Sequence, residues 1–146
     1  MTNSSVSADD KSGAKAQAGP EKTCTLHVCT SCRPPGTPRD PLGGRPGFLF
    51  FKELRDAIAN TPLNERVDVK PADCLSVCPR PCGFALSRPG AWTYLFGDQR
   101  PVESASDVID CIDLYLQTTD GFMPRSQRPK GLRGGILGRI PPIRRA

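Results

Sequence analysis

Asp73-Cys74-Leu75-Ser76-Val77-Cys78-Pro79-Arg80-Pro81-Cys82-Gly83 is the stretch on which both the fold and the chemistry of this chain turn. Its three thiols stand four residues apart, a spacing that an unbroken helix would place on one face. Pro79 and Pro81 argue against that helix. Each proline removes a backbone donor and disfavours helical geometry in the residue before it. The stretch therefore reads as a thiol-lined loop. It has a counterpart upstream in Cys29-Thr30-Ser31-Cys32, and the expectation is that the two loops meet and bind a metal centre.

Working outward, each thiol loop follows a β-rich run. Thr23 to Val28 precedes Cys29, and Val67 to Lys70 precedes the second loop. Between them lies Arg33 to Gly47, a loop with five prolines and four glycines. A helix over about Phe48 to Asn60 follows, with Phe51, Leu54 and Ile58 at helical spacing. Beyond the second thiol loop, Gly83 to Ser87 and Ala91 to Phe96 flank Arg88-Pro89-Gly90 and read as a hairpin. A second helix is expected from about Ser104 to Gln117, with Ser104 as N-cap and Asp107 completing a variant capping box. Residues 1–22 read as a disordered tail, 23–120 as the folded domain, and 121–146 as a basic Pro/Gly/Arg-rich tail with little regular structure.

The order is β-α-β-β-β-α. A strand–helix–strand unit in one sheet is almost always parallel and right-handed. Both strands of a parallel pair end at the same rim. Topology alone thus brings Cys29 and Cys32 near Cys74 and Cys78, where open α/β sheets place their sites. The expected class is α/β, a small mixed sheet with helices on both faces.

Composition narrows the setting. Among 146 residues, 37% are hydrophobic and 24% charged, and no run approaches the roughly 18 apolar residues of a membrane helix. The first 22 residues have no apolar core of a secretory signal, so a cytoplasmic location is expected. In a reducing compartment seven cysteines favour metal or redox chemistry over disulfides. The net charge of +5 is unevenly spread. Residues 125–146 hold seven Lys and Arg and no acid, whereas residues 23–124 hold ten basic and twelve acidic residues. The folded part is mildly acidic, which weighs against nucleic-acid binding.

Four thiolates form a soft site suited to an iron–sulfur cluster, Zn²⁺ or Cu(I). Zinc ribbons usually repeat Cys-x2-Cys twice. Here the second group is Cys74-x3-Cys78, with a further step to Cys82, which departs from that pattern. The candidate ligands are Cys29, Cys32, Cys74 and Cys78, with Cys82 as a rival.

The strand–Cys loop–helix–strand–Cys-x3-Cys–hairpin–helix order resembles the thioredoxin-like [2Fe–2S] ferredoxins. The resemblance implies a thioredoxin-like sheet and a [2Fe–2S] cofactor. The family's Cys-x3-Cys maps onto Cys74 and Cys78, and one of its earlier pair onto Cys29. That family spaces its earlier pair widely, whereas here it is Cys29-x2-Cys32, so Cys32 and Cys82 compete for the remaining place. The chain also resembles a family of small bacterial proteins known only as predicted metal-binding proteins. LHVCTSCR, DCLSVCPRPCGFAL, WTYLFGDQ and DGFMP with a later RP carry that likeness over roughly residues 25–130. It implies metal binding and names no reaction, although members resemble neighbours of cobalamin-synthesis or metal-handling systems.

The other cysteines and aromatics have plainer roles. Cys24 and Cys111 read as small buried hydrophobes. His27 is the only histidine, so a Rieske-type site, which needs two, is excluded. Trp92 and Tyr94 suit packing. The Arg-rich tail reads first as a solvated disordered segment, and its Ile136, Leu137, Ile140 and Ile143 point to docking on an acidic partner or on phosphate as the other reading.

Three functions follow. The first is a [2Fe–2S] electron carrier or cluster carrier, which requires no catalytic residue, docking on a protein redox or metal-handling partner through the Arg-rich tail. The second is a zinc-stabilised interaction module. The third is a thiol–disulfide oxidoreductase using Cys29-x2-Cys32. That chemistry needs its cysteine at a helix N-terminus, and Arg33-Pro34-Pro35-Gly36 delays the helix.

Overall fold

In the computed structural model, which describes residues 22–143, five strands form one mixed sheet. They are β1 (Cys24–Cys29), β2 (Val67–Ala72), β3 (Phe84–Ser87), β4 (Thr93–Phe96) and β5 (Ile136–Ile140), in spatial order β2-β1-β3-β4-β5. β1 and β2 are parallel, in register from Cys24 opposite Val67 to Cys29 opposite Ala72. The other three pairings are antiparallel. Helix α1 (Pro46–Ala59) connects β1 to β2, α2 (Ala105–Gln117) follows β4, and α3 (Lys130–Arg133) is a single turn before β5. The expected β-α-β-β-β-α order is therefore present, with one strand added.

That strand corrects the expectation for residues 121–146. Ile136–Ile140 is a β-strand paired antiparallel with β4, Leu132 is fully buried, and Leu137 packs beside Leu95. The aliphatics of this stretch fill sheet positions, which is why they interrupt an otherwise basic segment. Arg139 lies over the Trp92 ring at 5.0 Å and the Phe122 ring at 4.7 Å, so at least one tail arginine is engaged within the fold. The expected disordered segment, residues 1–22, falls outside the described residues except for Lys22.

Layering follows from strand alternation. Cys24, Leu26 and Val28 of β1 are buried and alternate with half-exposed Thr25 and His27. Register places Leu26 opposite Leu86 and Val28 opposite Phe84. Leu86 and Phe84 in turn face Tyr94 and Phe96. The rings of Phe84 and Phe96 stack with centroids 4.8 Å apart, and Phe50 of α1 meets Phe84 at 6.2 Å. Each such side chain contributes about 1.5–3 kcal/mol by leaving water.

Phe50, Phe51, Leu54 and Ile58 of α1, Val108, Ile112 and Tyr115 of α2, and Leu132 of α3 all join this one core. The helices thus share a face, which refines the expectation of helices on both. The opposite face is covered near its rim by the thiol loop instead. Leu75, Val77, Leu95 and Leu137 form a second, smaller cluster there with Cys29 and Cys32.

The hairpin between β3 and β4 is as expected: Ala91 donates its N–H to the Arg88 carbonyl, and Gly90 takes φ +72°, a left-handed value that suits glycine. Ser104 differs from expectation. Its side chain makes no cap on α2, and its hydroxyl instead accepts the Arg100 N–H at 2.9 Å. Ser104 is itself helical in φ and ψ, which turns its hydroxyl away from the helix donors. Cys24 and Cys111 are 2% and 0% exposed, in agreement with their reading as small core residues.

Candidate functional site

The rim where β1 and β2 end gathers both cysteine loops. Thr30 donates its N–H to the Ala72 carbonyl, and Ser31 donates its hydroxyl to the Asp73 carbonyl. On the other side, the Cys29 N–H donates to the Gly83 carbonyl at 3.0 Å. The first thiol loop is therefore pinned between the start and the end of the second. The thiol loop itself has no helix, as its prolines imply.

The five cysteines divide into two groups. Cys29, Cys32 and Cys82 are buried, and Cys74 and Cys78 are exposed. The Cys29 sulfur stands beside the Cys32 thiol and the backbone N–H groups of Leu75, Ser31 and Cys32. The Cys32 thiol first, and then those N–H groups, hold the Cys29 thiol at about 5 against the opposing effect of burial. Cys32 is pushed up by the Cys29 thiol beside it and by burial. Cys82 is pushed up by burial.

Cys74 accepts the Ser76 N–H at 3.2 Å, in a turn where Ser76 takes φ 59°. Cys78 lines an open cleft with Ser31, Arg33 and Arg45. The structure thus brings the two loops together through their backbones. Cys29 and Cys32 stand side by side, with Cys82 near them. Among the described residues, no three His, Cys, Asp or Glu side chains are placed to hold a metal ion as they stand.

The structure also alters one argument from the sequence. Helix α1 begins late in the chain, yet its first turn lies directly on the Cys29–Cys32 loop. The Gly47 N–H donates to the Cys32 carbonyl at 2.9 Å. A β-carbon on Gly47 would stand 2.8 Å from the Cys32 nitrogen, so only glycine fits there without displacement. Residues 33–45 loop away and return, which sequence order alone does not reveal. The positive end of the α1 dipole therefore lies close to the Cys29–Cys32 loop.

Sequence reasoning passed over two contributors. The Leu75 N–H is a backbone group, invisible to residue-type patterns. The arginines around Cys78 were foreshadowed by Arg33, Arg39 and Arg45 recurring through one Pro/Gly-rich segment.

Solved structures support the fold. A thioredoxin-like [2Fe–2S] ferredoxin from Aquifex aeolicus superposes with a TM-score of 0.54 at 18% identity, covering 84% of this chain and 96% of that one. A second structure of the wild-type ferredoxin gives 0.51 at 18% identity, covering 81% and 99%. A cysteine-to-serine variant gives 0.52 at 17%, covering 79% and 98%. At these identities the likeness shows the fold, a thioredoxin-like mixed α/β sheet. No helix among the described residues is long and apolar enough to cross a membrane. No curated protein matches the sequence. Residues 26–142 match the family described as "Protein of unknown function (DUF1636)", and the chain belongs to that family.

Proposed function

We propose that the thiols at this rim bind a metal centre, most simply a [2Fe–2S] cluster, and that the protein acts as a small electron or cluster carrier. The carrying observation is the all-thiol donor set at one sheet edge, with the first loop tied to the second through the Ser31 hydroxyl on the Asp73 carbonyl and the Cys29 N–H on the Gly83 carbonyl. Sulfur ligands accepting N–H groups fit a thiophilic centre, because those donors stabilise negative charge on sulfur. Cys29, Cys32, Cys74 and Cys78 would hold the centre. The reading requires Cys74 and Cys78 to reach the buried pair, from a loop already hydrogen-bonded to it. Such a cluster would supply one-electron transfer.

The fold neighbours support the reading in one further way. Two of them are cysteine-to-serine variants at positions four residues apart, the separation of Cys74 from Cys78 and of Cys78 from Cys82.

Anaerobic purification with a visible spectrum and metal analysis tests the proposal. A brown protein with about two irons per chain that bleaches with dithionite supports it. A colourless protein with about one zinc per chain replaces it with the structural module.

One observation favours a second reading, thiol–disulfide exchange. The Cys32 thiol beside Cys29 and the first turn of α1 on the same loop suit an attacking Cys29 thiolate with Cys32 as its resolving partner. A metal-free protein whose Cys29–Cys32 disulfide forms and is reduced reversibly would select it.

A further inference from the structure

Cys78 forms one wall of an open cleft of about 440 Å³, and its other walls are Ser31, Pro35 and three arginines, Arg33, Arg39 and Arg45. Among the described residues none of these guanidinium groups is ion-paired. Arg45 donates to the Arg39 and Ser31 carbonyls, which fixes its position, and Arg33 donates to the Thr37 carbonyl. Both keep further N–H donors free, and the Arg39 guanidinium donates to no described residue. Three positive charges with no ion-pair partner among the described residues surround one opening and focus an anion-attracting field. Guanidinium forks match carboxylates in particular. The volume falls in the range of small-ligand sites, roughly 300–1,000 Å³.

A ligand that satisfies every wall carries carboxylates for the arginines and sulfur for Cys78. We propose that this cleft binds carboxylate-bearing low-molecular-weight thiols and disulfides, and that Cys78 exchanges with the bound disulfide. The Cys78 thiolate attacks one sulfur of the disulfide. The ligand's S–S bond breaks, and a new S–S bond joins Cys78 to one half. The other half leaves as a thiolate and takes up the proton that Cys78 released. Oxidation of the Cys78 sulfur is balanced by reduction of the leaving sulfur.

Cys74 is an internal control, because it is exposed like Cys78 yet does not line the cleft. The full chain, reduced and freed of metal by chelation, with circular dichroism matched to the untreated protein, is treated with oxidised glutathione or with the cationic disulfide cystamine. Peptide mass mapping follows both cysteines. Oxidised glutathione is expected to modify Cys78 about tenfold faster than Cys74, a preference that R33Q and R39Q reduce and that cystamine does not show. Equal rates at the two cysteines, or a preference untouched by both substitutions, overturn the proposal.

A second measurement uses the chain as purified. Saturation-transfer NMR with the redox-inert S-methylglutathione is expected to give a binding signal that about 1 M salt abolishes. No signal at low salt also overturns the proposal. The inference concerns the metal-free chain, since Cys78 is also a proposed ligand, and metal content measured on the chain as purified, before chelation, keeps the two readings apart. A metal-loaded chain without anion preference sinks the cleft alone. A chain that carries no metal as purified, before chelation, yet shows that preference sinks the metal centre alone.

Discussion

Gly47 donates its N–H to the carbonyl of Cys32, so the first turn of α1 rests directly on the upstream thiol loop. A side chain at position 47 would meet the Cys32 nitrogen at 2.8 Å and its β-carbon at 2.9 Å, against neighbours that are mostly backbone and cannot swing aside. Gly47→Ala should therefore destabilise the fold by about 1–3 kcal/mol, the usual range for overpacking. Urea denaturation measures this. The displacement should also disturb the cysteine pair, so metal content should fall together with stability. Wild-type stability in this variant would mean the helix does not press on the loop.

The division of cysteines into those at the rim and those in the core predicts a pattern of metal loss. Under the metal-centre reading, Cys29→Ser, Cys32→Ser, Cys74→Ser and Cys78→Ser should each lower the metal bound per chain. Cys82→Ser should retain it, because Cys82 packs in the main core whereas Cys32 clusters with Cys29 at the rim. Cys111→Ala should also retain it. Metal analysis of the purified variants decides the point. Unchanged loading in both Cys74→Ser and Cys78→Ser would remove the second loop from the site.

Alkali should weaken the fold through its core thiols. Burial pushes both Cys24 and Cys111 up to about 12. In the unfolded chain these thiols release protons above about pH 8.5, whereas in the folded chain they hold them until about pH 12. Over that window the unfolded state binds fewer protons, so stability falls as pH rises, by about 1.4 kcal/mol per pH unit for each thiol fully engaged. Urea midpoints taken from pH 8 upward should decline, and Cys111→Ala should flatten the decline. The variant loses some packing at every pH, so the slope is the quantity to read.

Leu132 tests whether the C-terminal segment belongs to the fold. It is fully buried in α3 against the main core. Leu132→Ala should cost about 2–5 kcal/mol, as expected for a large-to-small change at a packed position. A change within about 0.5 kcal/mol, typical of an exposed position, would return the segment to the status of a tail.

Much of this architecture was legible in the residues. Alternation in Cys24–Cys29 and the 3.6-residue stripe of Phe51, Leu54 and Ile58 identified strand and helix, because each element must turn an apolar side to the core. The parallel β1–β2 pair then required both cysteine loops to share a rim. The last strand was less visible. Ile136–Ile140 is a five-residue edge strand containing Gly138 and Arg139, too short and too polar on its outer side to show a period.

Local sequence thus determined the elements, the buried roles of Cys24 and Cys111, and the rim on which the thiols would stand. Only the tertiary structure decided that α1, starting at Pro46, returns its first turn to Cys32, and that Arg33, Arg39 and Arg45 surround Cys78. It also decided that Cys29, Cys32 and Cys82 lie buried while Cys74 and Cys78 face outward. The physical reason is that these features depend on how a Pro/Gly-rich excursion closes in space. Backbone hydrogen bonds such as those from Thr30 to Ala72 and from Cys29 to Gly83 join residues more than forty positions apart, and no local periodicity encodes them.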